Sequence, residues 1–252
     1  MAEMYEIKKN MEAVRINKFL SEIGYCSRRE ADKLIEAGRI TVNDHLGATG
    51  EKVTPSDQIL VDGKPVHAIE KKVLLLFYKP KGIVCSTKKQ GKDMTVTEYL
   101  NYPLRIYPIG RLDKDSSGLL LMTNQGDLVN AIMRARNHHE KEYIVRVNKP
   151  FDDTFVERMS MGVPILDTVT RPCKVRAISE DTFRIVLTQG LNRQIRRMCE
   201  YLGYKVISLK RTRIMNLKLD TLKKGTYREI KQSEWKELAK TLKLSENLID
   251  LK

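Results

Sequence analysis

Long hydrophobic runs are missing from this sequence of 252 residues. A membrane-spanning helix needs about twenty apolar residues in succession, and no run of eighteen or more occurs. The N-terminal segment Met-Ala-Glu-Met-Tyr-Glu carries acids where a secretory signal peptide has a basic region followed by an apolar core. We therefore expect a cytoplasmic protein without a membrane partner.

Cysteine and histidine are scarce as well. The four cysteines have neither a C-x-x-C pair nor a spacing to histidine that suits zinc; they are Cys26, Cys85, Cys173 and Cys199. The four histidines resemble surface or core residues more than ligands. We expect free thiols in a reducing compartment and no metal site.

Acidic residues are too few to balance the basic ones. Lys and Arg number 46 against 32 Asp and Glu, for a formal net charge of +14 and a pI near 9.6. Residues 1–70 hold 10 basic and 12 acidic side chains, whereas residues 71–252 hold 36 and 20. The excess favours a polyanionic partner, and we interpret it as nucleic acid in preference to non-specific basicity.

The segment 14–66 has the pattern of a small α/β module. Apolar residues at i, i+3, i+4 and i+7 from Ile16 predict a helix that Gly24 ends. A capping box at Ser27-Arg-Arg-Glu opens a second helix. A strand at 39–43 and a hairpin at 59–66 with an Asp-Gly turn follow.

This order resembles the S-four-type RNA-binding module first recognised in a ribosomal protein of the small subunit. Arg28, Arg29 and Lys33 match the basic RNA-facing helix of that module. A helix N-terminus with two guanidiniums is suited to a phosphate. The alternative for these three residues is a solvated helix face.

Beyond a polar linker at 67–72, residues 73–231 predict a larger domain, and residues 232–252 predict a C-terminal helix. Residues 1–13 are an N-terminal extension. Apolar runs predict strands at 73–78, 118–122, 143–147, 163–166 and 183–187, and residues 127–136 predict a helix. The expected fold class is α+β, with a mixed, largely antiparallel sheet and peripheral helices.

Asp113 lies in a polar, Gly-bounded bend between two apolar runs, where its carboxylate is presented at the mouth of a sheet. A nucleophile or an acid suits this place, although Gly, Asp and Ser also dominate ordinary turns. Asp113-Lys-Asp115-Ser-Ser also resembles the D-x-D-x-T/S box of aspartate-nucleophile phosphatases. That interpretation requires Mg²⁺ and a later acidic pair, and Asp152-Asp153 is predicted to lie in a surface turn.

Two further side chains are candidates for a site. Tyr143 shares one strand face with valines, which is usually a core position. A helix is predicted from Asn192, as its cap, to Gly203. Arg196 lies near the edge of the apolar face of this helix and could reach an interior carboxylate, whereas three arginines on a wet face are the alternative.

Three motifs together resemble those of the pseudouridine synthases of the RsuA/RluB/RluE/RluF group. They are Gly-Arg-Leu-Asp113-x-x-Ser-x-Gly-Leu-Leu-Leu-x-Thr-Asn, Lys-x-Tyr143 and Asn-Arg-Gln-Ile-Arg196-Arg-Met. Their order matches, and the resemblance spans 14–231. Leu191 and the segment Lys-Arg-Thr-Arg-Ile-Met from 210 favour the RluF subgroup.

The resemblance implies isomerisation of a uridine in RNA by a monomer that needs no cofactor or metal. Ribosomal RNA of the large subunit is the first candidate substrate and transfer RNA the second. Asp113 would be the nucleophile, Tyr143 would stack on the extruded uracil, and Arg196 would be the partner of Asp113. If that pair is buried, loss of Arg196 costs about 3–5 kcal/mol.

The basic residues around these motifs are candidates for RNA contact. They are Arg28, Arg29, Lys33, Arg111, Arg193, Arg197, Lys210, Arg211 and Arg213. Charge and an RNA-binding module explain binding alone, so an RNA-binding or ribosome-associated protein without catalytic activity is the alternative.

Overall fold

The computed structural model describes residues 13–54, 56–67, 71–87, 89, 91–133 and 138–251. The chain divides into two compact units, one that ends at Lys71 and one that begins at Lys72. Of the predicted N-terminal extension, only Ala13 is among the described residues. None of the helices in the described part of the chain has the length and apolar character to cross a bilayer.

The smaller unit contains two helices and six short strands within its described residues. They are β1 (Val14–Arg15), α1 (Ile16–Glu22), α2 (Arg28–Glu36), β2 (Ile40–Val42), β3 (His45–Leu46), β4 (Lys52–Val53), β5 (Ile59–Val61) and β6 (Lys64–Pro65). The predicted cap of α2 is confirmed, because the Ser27 side chain accepts a hydrogen bond from the Glu30 backbone N–H. Asp62 and Gly63 have φ of 52° and 73° and form the predicted hairpin turn.

The larger unit is organised around a sheet of nine strands within the described residues. The strands of this unit are β7 (Leu74–Lys79), β8 (Tyr107–Ile109), β9 (Ser117–Thr123), β10 (Lys141–Val147), β11 (Pro164–Ile165), β12 (Thr168–Val169), β13 (Lys174–Ser179), β14 (Thr182–Leu187), β15 (Val206–Ile214), β16 (Leu217–Lys218) and β17 (Tyr227–Glu229). The sheet order is β13-β14-β10-β15-β9-β7-β17, with β8 beside β9 and β16 beside β15, while β11 and β12 pair separately.

Only one neighbouring pair in this sheet is parallel among the described strands: β9 with β15. This pair joins two antiparallel halves. The helices are α3 (Val96–Leu100), α4 (Gly126–Met133), α5 (Asp153–Met161), α6 (Gln194–Tyr201), α7 (Gln232–Leu242) and a final 3₁₀ turn (Glu246–Leu248). The α+β prediction of a mixed, largely antiparallel sheet with peripheral helices is confirmed.

The half around β7 and β9 is buried on both faces. Leu74 and Leu76 pack with Trp235 of α7, whereas Leu75 and Phe77 pack with α3 on the other side. This explains the continuous apolar run at 73–78, because both faces of a covered strand are apolar.

The half formed by β10, β13, β14 and β15 has one buried face, which α5 and α6 cover. Val145, Phe183 and Leu209 of this face pack with Phe155 of α5 and Met198 of α6. Tyr143 is partly buried at the border of the same cluster.

Two local predictions are wrong. Asn192 does not cap α6, because its Oδ1 accepts a hydrogen bond from Arg197 Nη2 at 3.2 Å, and Arg193 occupies the cap position with a φ of 49°. Asp152 does not lie in a simple surface turn. It caps α5, since its Oδ1 accepts the backbone N–H of Phe155 at 2.9 Å.

The helix predicted at 127–136 runs from Gly126 to Met133, and its last three predicted residues lie outside the described residues.

Candidate active site

Asp113 lies in the bend that connects β8 to β9. The Ser116 N–H donates to the Asp113 carbonyl at 3.0 Å, and the Gly82 N–H donates to the Lys114 carbonyl at 2.7 Å. These two hydrogen bonds fix the backbone of the bend. The Asp113 side chain itself is 34% exposed, so its carboxylate opens toward solvent.

Lys79, the last residue of β7, lies fully buried beneath this bend. Its Nζ donates to the carbonyls of Pro80 at 2.9 Å, Asp113 at 3.2 Å and Ser116 at 2.9 Å. Burial lowers the pKa of Lys79. The ammonium satisfies buried carbonyls and holds the main chain of Asp113 in place.

Arg196 approaches the bend from α6 and is 14% exposed. Its Nη2 is 3.1 Å from Asp115 Oδ2 and donates to Ser116 Oγ at 3.2 Å. Its Nε is 3.7 Å from Asp113 Oδ2 and has no hydrogen-bond partner within the described residues. The contact with Asp113 is therefore an ion pair, and a shift of a few tenths of an ångström would make it a hydrogen bond.

Arg193 also reaches the carboxylates. Its Nη1 is 3.5 Å from Asp113 Oδ2 and 3.4 Å from Asp115 Oδ1. The left-handed backbone of Arg193, just before α6, turns its guanidinium toward the bend. Each aspartate thus has both arginines within 4 Å, and this positive charge leaves the two carboxylates poorly placed to hold a metal.

A pocket of about 720 Å³ adjoins the Asp113 carboxylate. Residues that line it include Asp113, Arg193, Arg196, Lys141, Tyr143, Arg211, Ile109, Ile132, Leu187 and Leu209. An aromatic ring, aliphatic walls and several cations around one carboxylate suit a planar, polar base with a phosphate attached.

Two further cations belong to this pocket. Lys141 Nζ donates to the His139 carbonyl at 3.2 Å, and burial, with a contribution from Arg211, lowers the pKa of Lys141. Arg211 is 3% exposed and its Nε donates to the Leu119 carbonyl at 2.7 Å. Positive charge therefore lines the pocket on the side of β10 and β15.

The candidates for RNA contact are distributed over different surfaces. Arg111 is exposed and lines the pocket. Arg197 donates to the Asn192 carbonyl and side chain. Arg28, Arg29 and Lys33 are exposed on α2 in the smaller unit.

The three basic residues of β15 do not share one surface. Arg211 is buried at the pocket, whereas Lys210 is half-exposed opposite Ile144 on the other sheet face. Arg213 Nη2 is 2.9 Å from Glu140 Oε2, and its Nε is 3.6 Å from Glu142 Oε2. Arg213 is therefore held by carboxylates of its own domain.

The comparisons with known proteins match both units. The sequence model of the RNA pseudouridylate synthase family matches residues 73–201, and the S4 domain model matches residues 14–59. This chain belongs to the RNA pseudouridine synthases. It is of the RsuA type, with an S4 domain, and is an isomerase that converts uridine to pseudouridine in RNA.

Several relatives of this synthase share most of its length. It is 50% identical over 232 residues to a dual-specificity RNA pseudouridine synthase RluF from Salmonella typhi, covering 91% of this chain and 80% of the relative. It is 37% identical to ribosomal large subunit pseudouridine synthase B of Bacillus subtilis, covering 89% and 95%. A pseudouridylate synthase crystal structure matches with a TM-score of 0.65 and 29% identity, covering 88% and 97%.

The family assignment decides between the alternatives from the sequence. The phosphatase and non-catalytic interpretations are wrong, because the matched family catalyses an isomerisation. In this synthase the structure brings Asp113, Tyr143 and Arg196 together around one pocket.

Sequence reasoning gave no role to Lys79 or to Lys141, the lysine of the Lys-x-Tyr143 motif, and it missed the contact of Arg193 with Asp113. For Lys141 a signal existed, because it lies two residues before Tyr143 on the same strand and so faces the same side. For Lys79, a lone charge that follows a continuous apolar run was the only signal.

Proposed function

We propose that this synthase isomerises a specific uridine in large-subunit ribosomal RNA with Asp113 as its nucleophile. The observation that carries the proposal is the position of the Asp113 carboxylate, 3.5 Å from Arg193 Nη1 and 3.7 Å from Arg196 Nε, at the pocket that Tyr143 lines. A covalent link to Asp113 holds one fragment while the uracil turns, which divides a hard exchange into two easier steps.

Arg193 and Arg196 offset the cost of a charged Asp113 carboxylate in a pocket that excludes water. The nucleophile has to be ionised, yet a bound RNA excludes water from the pocket and disfavours a charged carboxylate. Arg196 and Arg193 supply permanent countercharges with directed donors. Arg196 is the more firmly held of the two partners, because only 14% of its side chain is exposed and it also donates a hydrogen bond to Ser116.

Tyr143 and Lys141 act on the base in this proposal. The target uridine leaves its stack, and the Tyr143 ring stacks on the extruded uracil. Breaking the bond between ribose C1′ and uracil N1 leaves negative charge on the base, which the Lys141 ammonium stabilises from the pocket wall. The bond from C1′ to C5 then forms as the bond from C1′ to the Asp113 carboxylate breaks, which frees Asp113. C5 loses its proton to water and N1 takes one up, so the net reaction is an isomerisation.

The RNA substrate is inferred from the relatives. One is a large-subunit ribosomal synthase, and relatives that are 49% and 50% identical to this chain are called dual-specificity enzymes. We propose ribosomal RNA as the first substrate of this monomeric, cytoplasmic enzyme and a transfer RNA as the second. Pseudouridine maps of both RNA fractions, from cells with and without the gene, test this. A site that disappears only from transfer RNA would contradict the ribosomal assignment.

An Asp113→Asn variant tests the nucleophile. We expect unchanged folding and RNA affinity but no tritium release from RNA labelled at uracil C5. Asp115→Asn is the matched control, because it removes a carboxylate that contacts the same two arginines. We expect slower but measurable release from this control. Tritium release by Asp113→Asn would refute the assignment.

A further inference from the structure

The sheet half formed by β10, β13, β14 and β15 has a second face, opposite the one that α5 and α6 cover. Side chains alternate along these strands, so Val145, Phe183 and Leu209 are at most 5% exposed on the packed face. Their neighbours in sequence, Ile144 and Arg184, point to the other side and are half-exposed and exposed.

The strand register aligns a row of residues across this second face. Arg176 of β13 lies opposite Arg184 of β14, Arg184 lies opposite Ile144 of β10, and Ile144 lies opposite Lys210 of β15. We call these four residues the basic row. Because neighbouring strands are about 4.8 Å apart, the row is about 14 Å long.

Carboxylates of the same domain neutralise the charges of the basic row only in small part. Like charges directly opposite each other in a sheet destabilise it, and Arg176 and Arg184 form such a pair. Arg184 has one distant carboxylate, Glu142, at 4.0 Å. Within the described part of the chain, Arg176 and Lys210 have no carboxylate within 4 Å.

The other charges on this face do not compensate the row. Glu140 and Glu142 are already 2.9 and 3.6 Å from Arg213, and Asp181 is 3.8 Å from Arg146. These carboxylates on the same face are thus already paired with arginines that do not belong to the row. An exposed row of two guanidiniums and an ammonium suits phosphate oxygens, which guanidiniums bind through paired donors.

We propose that the basic row binds the phosphate backbone of an RNA segment other than the one that enters the pocket. The pocket opens on the face of Tyr143, and the row lies on the opposite face of the same strands. A short hairpin in the pocket leaves the row free, whereas a long, folded RNA can reach both. The inference rests on the proposed ribosomal substrate, because only a large RNA offers a second segment.

The test compares the double variant Arg176→Gln/Arg184→Gln with the control Lys236→Gln/Lys240→Gln. The control removes two exposed cations from α7 and so changes the net charge equally. The salt dependence of binding is measured with a short uridine-containing stem-loop and with large-subunit ribosomal RNA transcribed in vitro. Thermal unfolding of both variants checks the fold, which exposed substitutions should preserve.

With the ribosomal transcript, we expect the slope of log affinity against log salt to decrease by about 1.5 to 2 in the double variant, beyond any decrease in the control. With the stem-loop, the two variants should have equal slopes. Equal slopes with both RNAs would overturn the proposal and favour an acidic protein as the occupant. An equal decrease with both RNAs would also overturn it, because the arginines would then contact the segment that enters the pocket.

Tritium release by the unmodified enzyme separates this proposal from the proposed function. If the wild-type enzyme releases no tritium from the ribosomal transcript, the proposed substrate fails. If it does release tritium and the double variant binds like the control, only the basic row fails.

Discussion

At the scale of single residues, the guanidinium of Arg196 connects two carboxylates and a hydroxyl. The free energy of unfolding lost with this guanidinium depends on how well water can solvate the two carboxylates in its place. The side chains of Asp113 and Asp115 are 34% and 51% exposed, so neither would become a fully buried, unpaired charge. The cost of about 3–5 kcal/mol that applies to a buried pair is therefore too high for this one.

Arg196→Lys should lower activity strongly and stability moderately. Lysine keeps the charge but cannot contact Asp113, Asp115 and Ser116 at once, because its ammonium is a point donor. We expect a decrease in tritium release of about 10- to 100-fold and a loss of about 1–2 kcal/mol in the free energy of unfolding. Arg197→Lys is the control, with a stability change of about 0.5 kcal/mol or less. Full activity of Arg196→Lys would contradict this role.

Lys79→Met tests whether the hydrogen bonds of Lys79 support the bend that carries Asp113. The substitution keeps much of the side-chain volume but leaves the carbonyls of Pro80, Asp113 and Ser116 without their donor. We expect about 1–3 kcal/mol of destabilisation in urea unfolding and reduced tritium release. Lys81→Met, at an exposed position nearby, should change neither strongly. The role of Lys79 is contradicted if its variant has wild-type stability and turnover.

At the scale of elements, the parallel contact between β9 and β15 depends on a glycine. Gly118 has a φ of 116°, and a Cβ there would lie 2.2 Å from the carbonyl oxygen and 2.5 Å from the nitrogen of Arg211. These are backbone atoms, which cannot move aside as a flexible side chain can. The two halves of the sheet therefore meet where only glycine fits.

Gly118→Ala should destabilise the larger unit by about 3 kcal/mol or more, because it adds both a backbone clash and an unfavourable φ. Denaturant unfolding of that unit measures the effect. Gly190→Ala is the control for stability, since a Cβ at Gly190 meets nothing within 4 Å. Equal stability of the two variants would show that β9 and β15 separate at little cost.

At the scale of the whole molecule, charge is divided unequally between the two units. Residues 1–70 carry 10 basic and 12 acidic side chains, so the S4 unit has no net positive charge, whereas residues 71–252 carry 36 and 20. We infer that most of the electrostatic affinity for RNA comes from the larger unit. The S4 unit would then orient the RNA through a few local contacts on α2.

Replacing Arg28, Arg29 and Lys33 with Gln tests that division. We expect weaker RNA binding and a salt slope that is smaller by about 2 to 3, or one counterion per lost phosphate contact. The control replaces Arg15, Lys52 and Lys64, which are exposed elsewhere in the same unit. If both triple variants have the same salt slope, Arg28, Arg29 and Lys33 form a solvated face of α2 that does not contact the phosphates of the RNA.

The sequence by itself determined the features that depend on local physics. The cap at Ser27, the Asp62-Gly63 turn and the doubly buried strand after Val73 follow from side-chain hydrogen bonding, permitted φ angles and periodicity. The motif around Asp113 could also be identified from the sequence, because its residues are consecutive. Asn192 was misassigned since a nearby guanidinium competes for its side chain.

Only the tertiary structure decided which distant side chains meet. Lys79 reaches the carbonyl of Asp113 through strand pairing, and Arg193 reaches its carboxylate because the chain turns left-handed before α6. A register shift between Glu142 and Tyr143 also places Arg211 and Arg213, two residues apart, on opposite faces of the sheet. Alternation along one strand predicts a shared face for such a pair, and a bulge set by the neighbouring strand overrides it.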